Sequence, residues 1–387
     1  MGLIRDDVVA LQDSPILEVW RTGAHLPDMI GMWAGEPDVP TPAFICRAAS
    51  QALAEGHTFY SAERGIPELR AEIASYLERL YGTTISDDRI AVTQSGMNAV
   101  MLISQMLLRP GDNVVAVTPG WPNVTRAMQI NGAAIREVPL EAGNRGWRFD
   151  PGRVFAACDG RTRIISFASP GNPTGWTIER EQAEALLAFA RERGIALLSD
   201  EVYHRIVYDG RAALSLLELA RPGDPVFVVN SFSKAWAMTG WRLGWMVFPE
   251  GITGQVNKLI QFNTSGAQAF LQWGAIAALR DGEEFVSYFV DRCRTGQKVV
   301  AERLAAMPRV RPIVSNGSFY AMFEVDGMAD SLRFCLEGVQ KMRLGMAPGT
   351  AFGGGAERMV RLCYAKEPAL LHAAMDRLAT LVAGYRE

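Results

Sequence analysis

Residues 226–244, VFVVNSFSKAWAMTGWRLG, join an apolar run to a group of chemically active side chains. The first five residues have the β-branched and aromatic composition of a buried strand. Ser231, Ser233 and Lys234 follow at once, and Arg242 comes eight residues after the lysine. This strand end therefore predicts a site that contains a primary amine, two hydroxyls and a fixed cation.

Lysine is scarce in this sequence. The chain carries only five: Lys234, Lys258, Lys298, Lys341 and Lys366. Chemistry that requires a primary amine has few candidates, because the guanidinium of arginine forms Schiff bases poorly at neutral pH. Apolar residues surround Lys234, which disfavours the alternative of a solvated surface lysine.

Apolar runs of strand length recur from about residue 90 to 248. Besides 226–230, these runs are 90–93, 113–117, 135–138, 164–167, 195–199 and 243–248. Stretches with helical periodicity, such as 98–108 and 179–193, lie between several of them. Apolar strands that alternate with helices predict a mostly parallel sheet covered on both faces. In such sheets the ligands bind beyond the carboxyl ends of the strands.

The pattern changes after about residue 280, where a smaller α+β unit is indicated. Its predicted elements are a charged helix at 283–307, a strand at 319–325, a helix at about 328–343, a loop at 347–355, a strand at 359–364 and a final helix. The first 47 residues lack a complete core pattern and are expected to pack with this unit. We therefore predict a large domain over 48–280 and a small domain formed by 1–47 and 281–387.

Composition narrows the functional class. The chain has 387 residues, 49% of them hydrophobic, and a formal net charge of −3, so it offers no basic excess to attract nucleic acid or anionic lipid. The N-terminal segment lacks the apolar core of a signal peptide, and no apolar run approaches the roughly 18 residues of a membrane helix. A cytoplasmic enzyme that binds neither membrane nor nucleic acid is expected.

The cysteines and histidines indicate no metal centre. Five scattered cysteines without a CxxC pair argue against a disulfide framework and against structural zinc. His204 follows Asp200 at a helical spacing, but the residues just before them have the pattern of a strand. We expect no metal.

Small or aromatic residues follow two of the predicted strands. After 90–93, Gly96 and Met97 open a helix whose N-terminal N–H groups suit a phosphate, although a plain turn is an equal alternative. After 113–117, Trp121 could stack on a flat heteroaromatic ring or fill the core.

Polar residues follow two further strands. Asn172 lies in the turn ASPGNPTG, residues 168–175, where two prolines and two glycines fix the backbone and favour a site over a structural loop. Asp200 and Tyr203 come after 195–199. An aspartate here can pair with a protonated ring nitrogen and keep it charged, and helix capping is the alternative.

Residues 231–244 resemble the pyridoxal-phosphate (PLP) attachment signature of class I/II aminotransferases, the fold type I, aspartate-aminotransferase-like family. Further landmarks occur in the family's order: Gly35-Glu36-Pro37-Asp38, Thr41-Pro42, Tyr60, Gly65, Leu69-Arg70, 169–175, 200–203, Pro348-Gly349, Phe352-Gly353 and Arg361-Leu362. The resemblance spans about residues 30–365. It implies an α/β fold type I PLP-transferase, with a mostly parallel seven-stranded sheet covered by helices and a smaller α+β domain. It also implies a PLP-dependent enzyme that moves an amino group between an L-amino acid and a 2-oxo acid.

The resemblance assigns catalytic roles to residues around the PLP ring. Lys234 would hold PLP as a Schiff base and later move the proton between the substrate α-carbon and the cofactor. Asp200 would pair with the pyridine nitrogen and keep the ring electron-withdrawing. Asn172 and Tyr203 would hydrogen-bond the 3′-oxygen, and Trp121 would stack on the ring face.

The phosphate and the substrate would be held by a second group of residues. The phosphate partners implied are the backbone of Gly96 and Met97 with Ser231, Ser233 and Arg242. The substrate α-carboxylate would bind Arg361, whose planar guanidinium can bond both oxygens, together with Asn172 and the Gly35 backbone. Tyr60 would reach the phosphate of a neighbouring subunit, which implies a homodimer.

The chain departs from the family's aspartate-specific pattern. Several bacterial relatives carry a more polar residue where Met97 stands, and no match is found for the second arginine that some members use on a side-chain carboxylate. Trp20, Trp33 and Trp245 are candidates to line an apolar substrate pocket, with core packing as the alternative.

Three other functions fit parts of the pattern. A PLP-dependent C–S β-lyase would use the same lysine, aspartate and arginine and is the nearest rival. A PLP-binding module of a transcription regulator would carry an additional N-terminal DNA-binding domain, and only about 30 residues precede the first motif. A nicotinamide-dependent dehydrogenase would show G-x-G-x-x-G directly after a strand, and the glycines at 353–355 lack that placement.

Overall fold

The computed structural model describes residues 2–143 and 146–386. The helices in these ranges are α1 (Asp6–Val9), α2 (Pro15–Gly23), α3 (Ala43–Ala54), α4 (Pro67–Tyr81), α5 (Gly96–Leu107), α6 (Pro122–Ile130), α7 (Pro151–Ala157), α8 (Arg180–Arg193), α9 (Thr253–Asn263), α10 (Ala269–Asp281), α11 (Glu283–Ala305), α12 (Ser331–Met342) and α13 (Pro368–Gly384). The strands are β1 (Ile30–Gly31), β2 (Ile90–Thr93), β3 (Asn113–Thr118), β4 (Ala134–Pro139), β5 (Glu141–Gly143), β6 (Gly146–Arg148), β7 (Thr162–Ala168), β8 (Ala196–Asp200), β9 (Val226–Ser231), β10 (Gly244–Val247), β11 (Val310–Ile313), β12 (Tyr320–Val325), β13 (Leu344–Gly345), β14 (Ala347–Pro348) and β15 (Met359–Cys363).

The seven predicted central strands form one sheet in the order β2-β10-β9-β8-β7-β3-β4. The ladders from β9 to β4 are parallel, whereas β10 is antiparallel to both of its neighbours. The chain reverses within residues 232–243, which hold Lys234, so that Gly244 of β10 lies opposite Ser231 of β9. The prediction of a mostly parallel seven-stranded sheet is confirmed.

The large sheet is buried on both faces, which explains why its strands read as continuous apolar runs. Successive residues of one strand point to opposite faces. Ile165 and Val228 belong to the core on one face, and Ile164 and Val229 belong to the core on the other. Parallel strands packed in this way bring their carboxyl ends to one edge of the sheet.

A second sheet, in the order β11-β12-β15-β14, is antiparallel and has its own core. Phe289, Phe323, Val360 and Leu378 lie in this core, with side chains from helices α11, α12 and α13. The smaller α+β unit indicated by the sequence therefore contains a four-stranded sheet covered by helices.

The N-terminal segment contacts both units. Helix α2 packs on α12, and β1 pairs in parallel with β13. Helix α3 packs on α10 instead, and its Ile45 lies in the core of the large sheet. The division into 48–280 and into 1–47 with 281–387 stays a prediction.

Two predicted element boundaries shift for local reasons. Helix α12 begins at Ser331 because the Asp330 side chain caps it, accepting from the N–H groups of Leu332 and Arg333 at 2.9 and 3.0 Å. The predicted loop at 347–355 contains the two-residue strand β14, which pairs with β15. A strand this short has no periodicity for the sequence to reveal.

None of the helices in the described parts of the chain combines the length and apolar character that crossing a bilayer requires.

Candidate active site

A cavity of about 410 Å³ opens at the carboxyl edge of the large sheet. Every residue to which the family resemblance assigns a cofactor or substrate role lines this cavity, except Tyr60. These residues are Gly35, Gly96, Met97, Trp121, Asn172, Asp200, Tyr203, Ser231, Ser233, Lys234, Arg242 and Arg361. They come from the ends of β2, β3, β7, β8 and β9, from the N-terminal segment, and from β15 of the smaller sheet. The expectation that ligands bind beyond the carboxyl ends of the parallel strands therefore locates the site.

Lys234 holds the primary amine of the cavity. Its Nζ donates to the carbonyl oxygen of Gly35 at 2.6 Å. Burial lowers the pKa of Lys234 to about 8, and the positive charge of Arg361 acts in the same direction. A substantial fraction of the amine is therefore neutral near physiological pH, the form that acts as a nucleophile or a base.

Asp200 ends β8 with a buried carboxylate that faces the cavity. Within the described residues this carboxylate accepts one hydrogen bond, from the Val202 N–H at 3.2 Å, and joins no ion pair. Burial raises the pKa of Asp200 to about 6. A desolvated carboxylate with most of its acceptor capacity unused suits a ligand that brings a charged N–H group.

Arg361 is a buried cation that also lines the cavity. Its side chain is 1% exposed, and it donates to Asn172 Oδ1 at 2.9 Å and to the Trp33 carbonyl oxygen. Its Nε has no hydrogen-bond partner, and no described carboxylate forms an ion pair with it. The guanidinium lies over the rings of Tyr320 and Phe352, 4.4 and 4.9 Å from their centroids. A fixed, uncompensated guanidinium suits a carboxylate ligand.

Tyr203 lines the cavity with its ring centroid 5.6 Å from Lys234 Nζ, and it has a partner that the sequence did not reveal. Its hydroxyl is 2.6 Å from that of Tyr320, and both rings are buried. Tyr320 also abuts Gly35, where any side chain would collide with the Tyr320 hydroxyl. The register of β12 and β15 sets Tyr320 beside the strand of Arg361, opposite Cys363. Only that pairing, which the sequence does not give, could have indicated Tyr320.

Helix α5 presents its N-terminus to the cavity. Its N-cap is Ser95, whose hydroxyl accepts from the Asn98 N–H at 3.0 Å. The next two residues, Gly96 and Met97, line the cavity. Gly244 makes this approach possible, because a Cβ at that position would lie 2.7 Å from the Gly96 nitrogen. Free N–H groups and the helix dipole favour an anion here.

Two hydroxyls and an arginine lie near this helix end. The Ser231 and Ser233 hydroxyls are 2.9 Å apart, and both residues line the cavity. Arg242 has a left-handed backbone with φ 52° and donates from Nη1 to the Thr239 carbonyl oxygen at 2.8 Å. No described acidic side chain forms an ion pair with Arg242, so its charge is available to an anion.

The aromatic residues divide between the cavity and the core. Trp121 is the N-cap residue of α6 and lines the cavity. The buried Trp33 also lines the cavity. Trp245 is fully buried in the core of the large sheet, and Trp20 is half exposed and does not line the cavity. Of the three tryptophans considered for the substrate pocket, only Trp33 lies there.

Tyr60 lies away from this cavity. Its side chain is 94% exposed and borders a different surface pocket, formed with residues 57–61 and 264–270. The role implied for Tyr60 requires a second subunit, and that role stays a prediction.

His204 is a structural residue. Its Nε2 lies 2.8 Å from the Tyr76 hydroxyl, inside a cluster of aromatic rings. Burial lowers the pKa of His204 to about 3, so the ring is neutral. The described residues contain no cluster of three His, Cys, Asp or Glu side chains that could hold a metal ion.

The family profile described as "Aminotransferase class I and II" matches residues 27–378. The chain belongs to this family. An aspartate aminotransferase of Pyrococcus horikoshii is 32% identical over 384 residues, which cover 98% of this chain and 97% of the relative. An aspartate/prephenate aminotransferase of Thermus thermophilus is 32% identical over 375 residues, with 95% and 93% coverage.

Solved structures agree with this assignment. An aspartate aminotransferase from Thermus thermophilus with maleate superposes with a TM-score of 0.92 at 31% identity, over 98% of this chain and 100% of that one. An alanine aminotransferase from Pyrococcus furiosus gives a TM-score of 0.92 at 26% identity, with coverage of 99% and 100%. The predicted family and the fold type I architecture are confirmed. The chain is a PLP-dependent aminotransferase.

The cavity fits PLP by the chemistry of its side chains. A carboxylate without an ion pair, an amine with a lowered pKa and an anion-binding helix end match a pyridine nitrogen, an aldehyde and a phosphate. PLP, when bound, withdraws electrons from the substrate α-carbon and so makes its proton removable.

Proposed function

We propose that Lys234 binds the PLP aldehyde between reactions and moves the substrate proton during amino transfer from an L-amino acid to a 2-oxo acid. The observation that carries this proposal is the partly buried amine of Lys234, with its lowered pKa, in a cavity that the Asp200 carboxylate and the Arg361 guanidinium also line. A neutral amine attacks an aldehyde and accepts a proton, whereas an ammonium group does neither.

The residues around the ring control its charge. Asp200 holds the pyridine nitrogen in its protonated form, because the buried carboxylate gains an ion pair only in that state. Asn172 and Tyr203 hydrogen-bond the 3′-oxygen, and Trp121 stacks on the ring. Support for the Tyr203 role comes from its bond to Tyr320, which fixes the direction of the phenol.

Arg361 binds the α-carboxylate of the substrate, with Asn172 and the Gly35 backbone beside it. The Asn172 side chain already orients the guanidinium through its Oδ1 atom. Binding here brings the α-carbon towards Lys234, whose Nζ is hydrogen-bonded to Gly35. The arginine therefore orients the substrate relative to the base.

The N-terminus of α5 would hold the cofactor phosphate. The partners of the phosphate are the N–H groups of Gly96 and Met97, the hydroxyls of Ser231 and Ser233, and the guanidinium of Arg242. The proposal is supported by the convergence of a helix dipole, two hydroxyls and a cation at one end of the cavity.

Reductive trapping tests the Lys234 assignment. Borohydride treatment of the holoenzyme, followed by proteolysis and peptide mapping, should find the cofactor label on the peptide that contains Lys234. Lys234→Ala should lower kcat by about 10⁴-fold or more, while Lys258→Ala, which alters an exposed lysine of α9, should leave it unchanged. A label on another lysine, or on none, would end the proposal.

A single-turnover experiment separates amino transfer from β-elimination. An aminotransferase mixed with one amino acid and no oxo acid should convert one equivalent of its cofactor to the aminated form and stop. A C–S β-lyase acting on a cysteine derivative would instead release ammonia and pyruvate over many turnovers.

We further propose that the enzyme is a homodimer in which Tyr60 completes the site of the partner subunit. Tyr60 and the neighbouring Phe59 are 94% and 85% exposed, and Phe262 of α9 is 82% exposed. Exposed aromatic residues of this kind are enriched at protein interfaces.

A cytoplasmic location is part of the same proposal. All five cysteines are free thiols, and three of them are buried. This agrees with a protein that functions in a reducing compartment.

A further inference from the structure

The charges that line the cavity are few. Four of its lining residues are charged: Lys234, Arg242, Arg361 and Asp200. Under the proposed function each of them already has a partner, since the amine binds the aldehyde, Arg242 the phosphate, Arg361 the α-carboxylate and Asp200 the ring nitrogen. No described lining residue supplies a further positive charge for a second carboxylate on the substrate.

The remaining lining side chains are mainly apolar. They include Ile16, Trp33, Met97, Val100 and Val202. Val100 belongs to one core of the large sheet, and Met97 and Trp121 pack against that core, so these three side chains give the cavity an apolar wall. Outside the proposed cofactor and carboxylate partners, the lining residues with a hydroxyl or amide side chain are Asn123, which is exposed, and Tyr320, whose hydroxyl is hydrogen-bonded to that of Tyr203.

One further cation, Arg126, lies close to the main cavity without lining it. Arg126 borders an adjoining, smaller cavity of about 140 Å³, which shares Trp121, Ala168 and Asp200 with the main cavity, and it donates to Gln129 Oε1 at 2.7 Å. Glu137 lines the same small cavity and carries the opposite charge. Arg126 is exposed and is not among the residues that line the main cavity.

From the charged and apolar residues that line the cavity, we infer that the enzyme selects amino acids with an uncharged, largely apolar side chain, of the size of leucine, methionine or phenylalanine. This inference rests on the proposed function and gives its substrate class. A side-chain carboxylate in this cavity would lose its hydration and gain no ion pair. It would also compete with the α-carboxylate for Arg361. An apolar side chain loses no such hydration and buries its surface against the apolar wall formed by Met97, Val100 and Trp121.

Several relatives are aspartate aminotransferases, so the substrate class inferred for this enzyme differs from theirs. The difference makes the test direct. Wild-type holoenzyme should be mixed with single amino acids, and loss of the absorbance of the bound cofactor should be followed in one turnover. We expect leucine, methionine and phenylalanine to react with kcat/KM values about 10²-fold higher than aspartate and glutamate.

Binding of unreactive acids gives a readout that does not depend on turnover. Maleate carries two carboxylates, whereas 4-methylpentanoate and 3-phenylpropanoate carry one carboxylate and an apolar group. Titration of each into wild-type holoenzyme, followed by the cofactor spectrum, should give a lower Kd for the two monocarboxylates. The assembled wild-type enzyme is used so that any charge brought by a second subunit contributes to the measurement.

Variants of Met97 test whether charge is the cause. Met97→Lys adds a primary amine to the wall and should lower the Kd of maleate at least about tenfold relative to that of 4-methylpentanoate. Met97→Leu is the matched control, which keeps an apolar side chain of similar volume and should retain the wild-type preference. An unchanged preference in a folded Met97→Lys enzyme would overturn the charge argument.

The wild-type measurements decide the inference even if the variants fold poorly. Faster reaction with aspartate or glutamate, or tighter binding of maleate, would overturn the substrate class and leave amino transfer intact. Failure of every amino acid to convert the cofactor would instead overturn the proposed function.

Discussion

Asp200 and Arg361 are both buried without an opposite charge within hydrogen-bond reach, and this is unusual for charged side chains. Burying an unpaired charge is costly, so these two residues lower the stability of the unliganded fold. The same feature prepares the cavity for ligands that carry the complementary charges. Their fixed orientation means that little reorganisation is required when the cofactor and the substrate bind.

The pKa of Lys234 leads to a prediction about cofactor capture. Burial lowers this pKa from 10.5 to about 8, so the neutral amine increases with pH up to about 8 and then stays constant. The rate at which the apoenzyme captures PLP should rise about tenfold per pH unit below that value and level off above it. Stopped-flow absorbance from about pH 6.5 to 9.5 measures this rate.

Lys234→Arg is the control for this experiment, because it keeps a positive charge but should capture no PLP at any pH. A rate that continued to increase towards pH 10 would contradict the lowered pKa.

At this scale the sequence predicts the residues that belong to local motifs. Lys234, Asp200 and Asn172 each follow an apolar strand, and each lines the cavity. Tyr320 was missed because its contact with Tyr203 joins residues 117 positions apart, and no local pattern carries that information. Trp33 could not be separated from Trp245 for a similar reason, since both are tryptophans in apolar surroundings.

The packing of β10 against α5 leads to a prediction at the level of elements. In Gly244→Ala the new Cβ would lie 2.7 Å from both the Gly96 nitrogen and the Asn230 carbonyl oxygen. The helix end or the strand must then move, which displaces the N–H groups proposed to hold the phosphate. We expect the Kd for PLP to rise about 10- to 100-fold, measured by titration of the apoenzyme.

Gly240→Ala provides a matched control in the same segment, because a Cβ at Gly240 would meet no atom within 4 Å. Its PLP affinity should equal that of the wild type. Equal losses in both variants would show that any added methyl group disturbs this segment, and the specific role of Gly244 would be wrong.

The strands of the large sheet were predictable because burial on both faces leaves continuous apolar runs. The predicted strand 226–230 corresponds to β9, which extends one residue further, to Ser231. The direction of β10 was not predictable, since its apolar composition is the same whether it runs parallel or antiparallel. Strand β14 was missed because two residues, Ala347 and Pro348, show no alternation.

At the level of the whole molecule, the proposed dimer can be tested by complementation. Subunits with Lys234→Ala and subunits with Tyr60→Ala should be weakly active as separate homodimers. If Tyr60 acts in the partner's site, a mixed dimer contains one site with both residues intact. Co-assembly and affinity purification of the mixed dimer should therefore recover about half of the wild-type activity.

If Tyr60 acted within its own subunit, neither site of the mixed dimer would be complete and activity would stay low. A mixed dimer of Tyr60→Phe subunits and Lys234→Ala subunits is a useful comparison, since it shows whether the hydroxyl or the ring of Tyr60 is required. Sedimentation of the wild type at several concentrations checks the dimer itself, and a monomer at assay concentration would contradict it.

The two-sheet organisation followed from the change of pattern near residue 280, but the contacts of the N-terminal segment did not. Helix α3 packs on α10 through Ile45, while α2 packs on α12. Both helices are amphipathic, and the sequence does not indicate which apolar surface each one covers.

The amine and the carboxylate-binding guanidinium belong to different sheets: Lys234 follows β9 of the seven-stranded sheet, and Arg361 lies in β15 of the four-stranded sheet. An amino acid that engages both residues bridges the seam between the two layers. Two hydrogen bonds, Tyr203–Tyr320 and Asn172–Arg361, also cross this seam. While it is bound, the substrate therefore links the two sheets to each other, in addition to being the molecule that reacts.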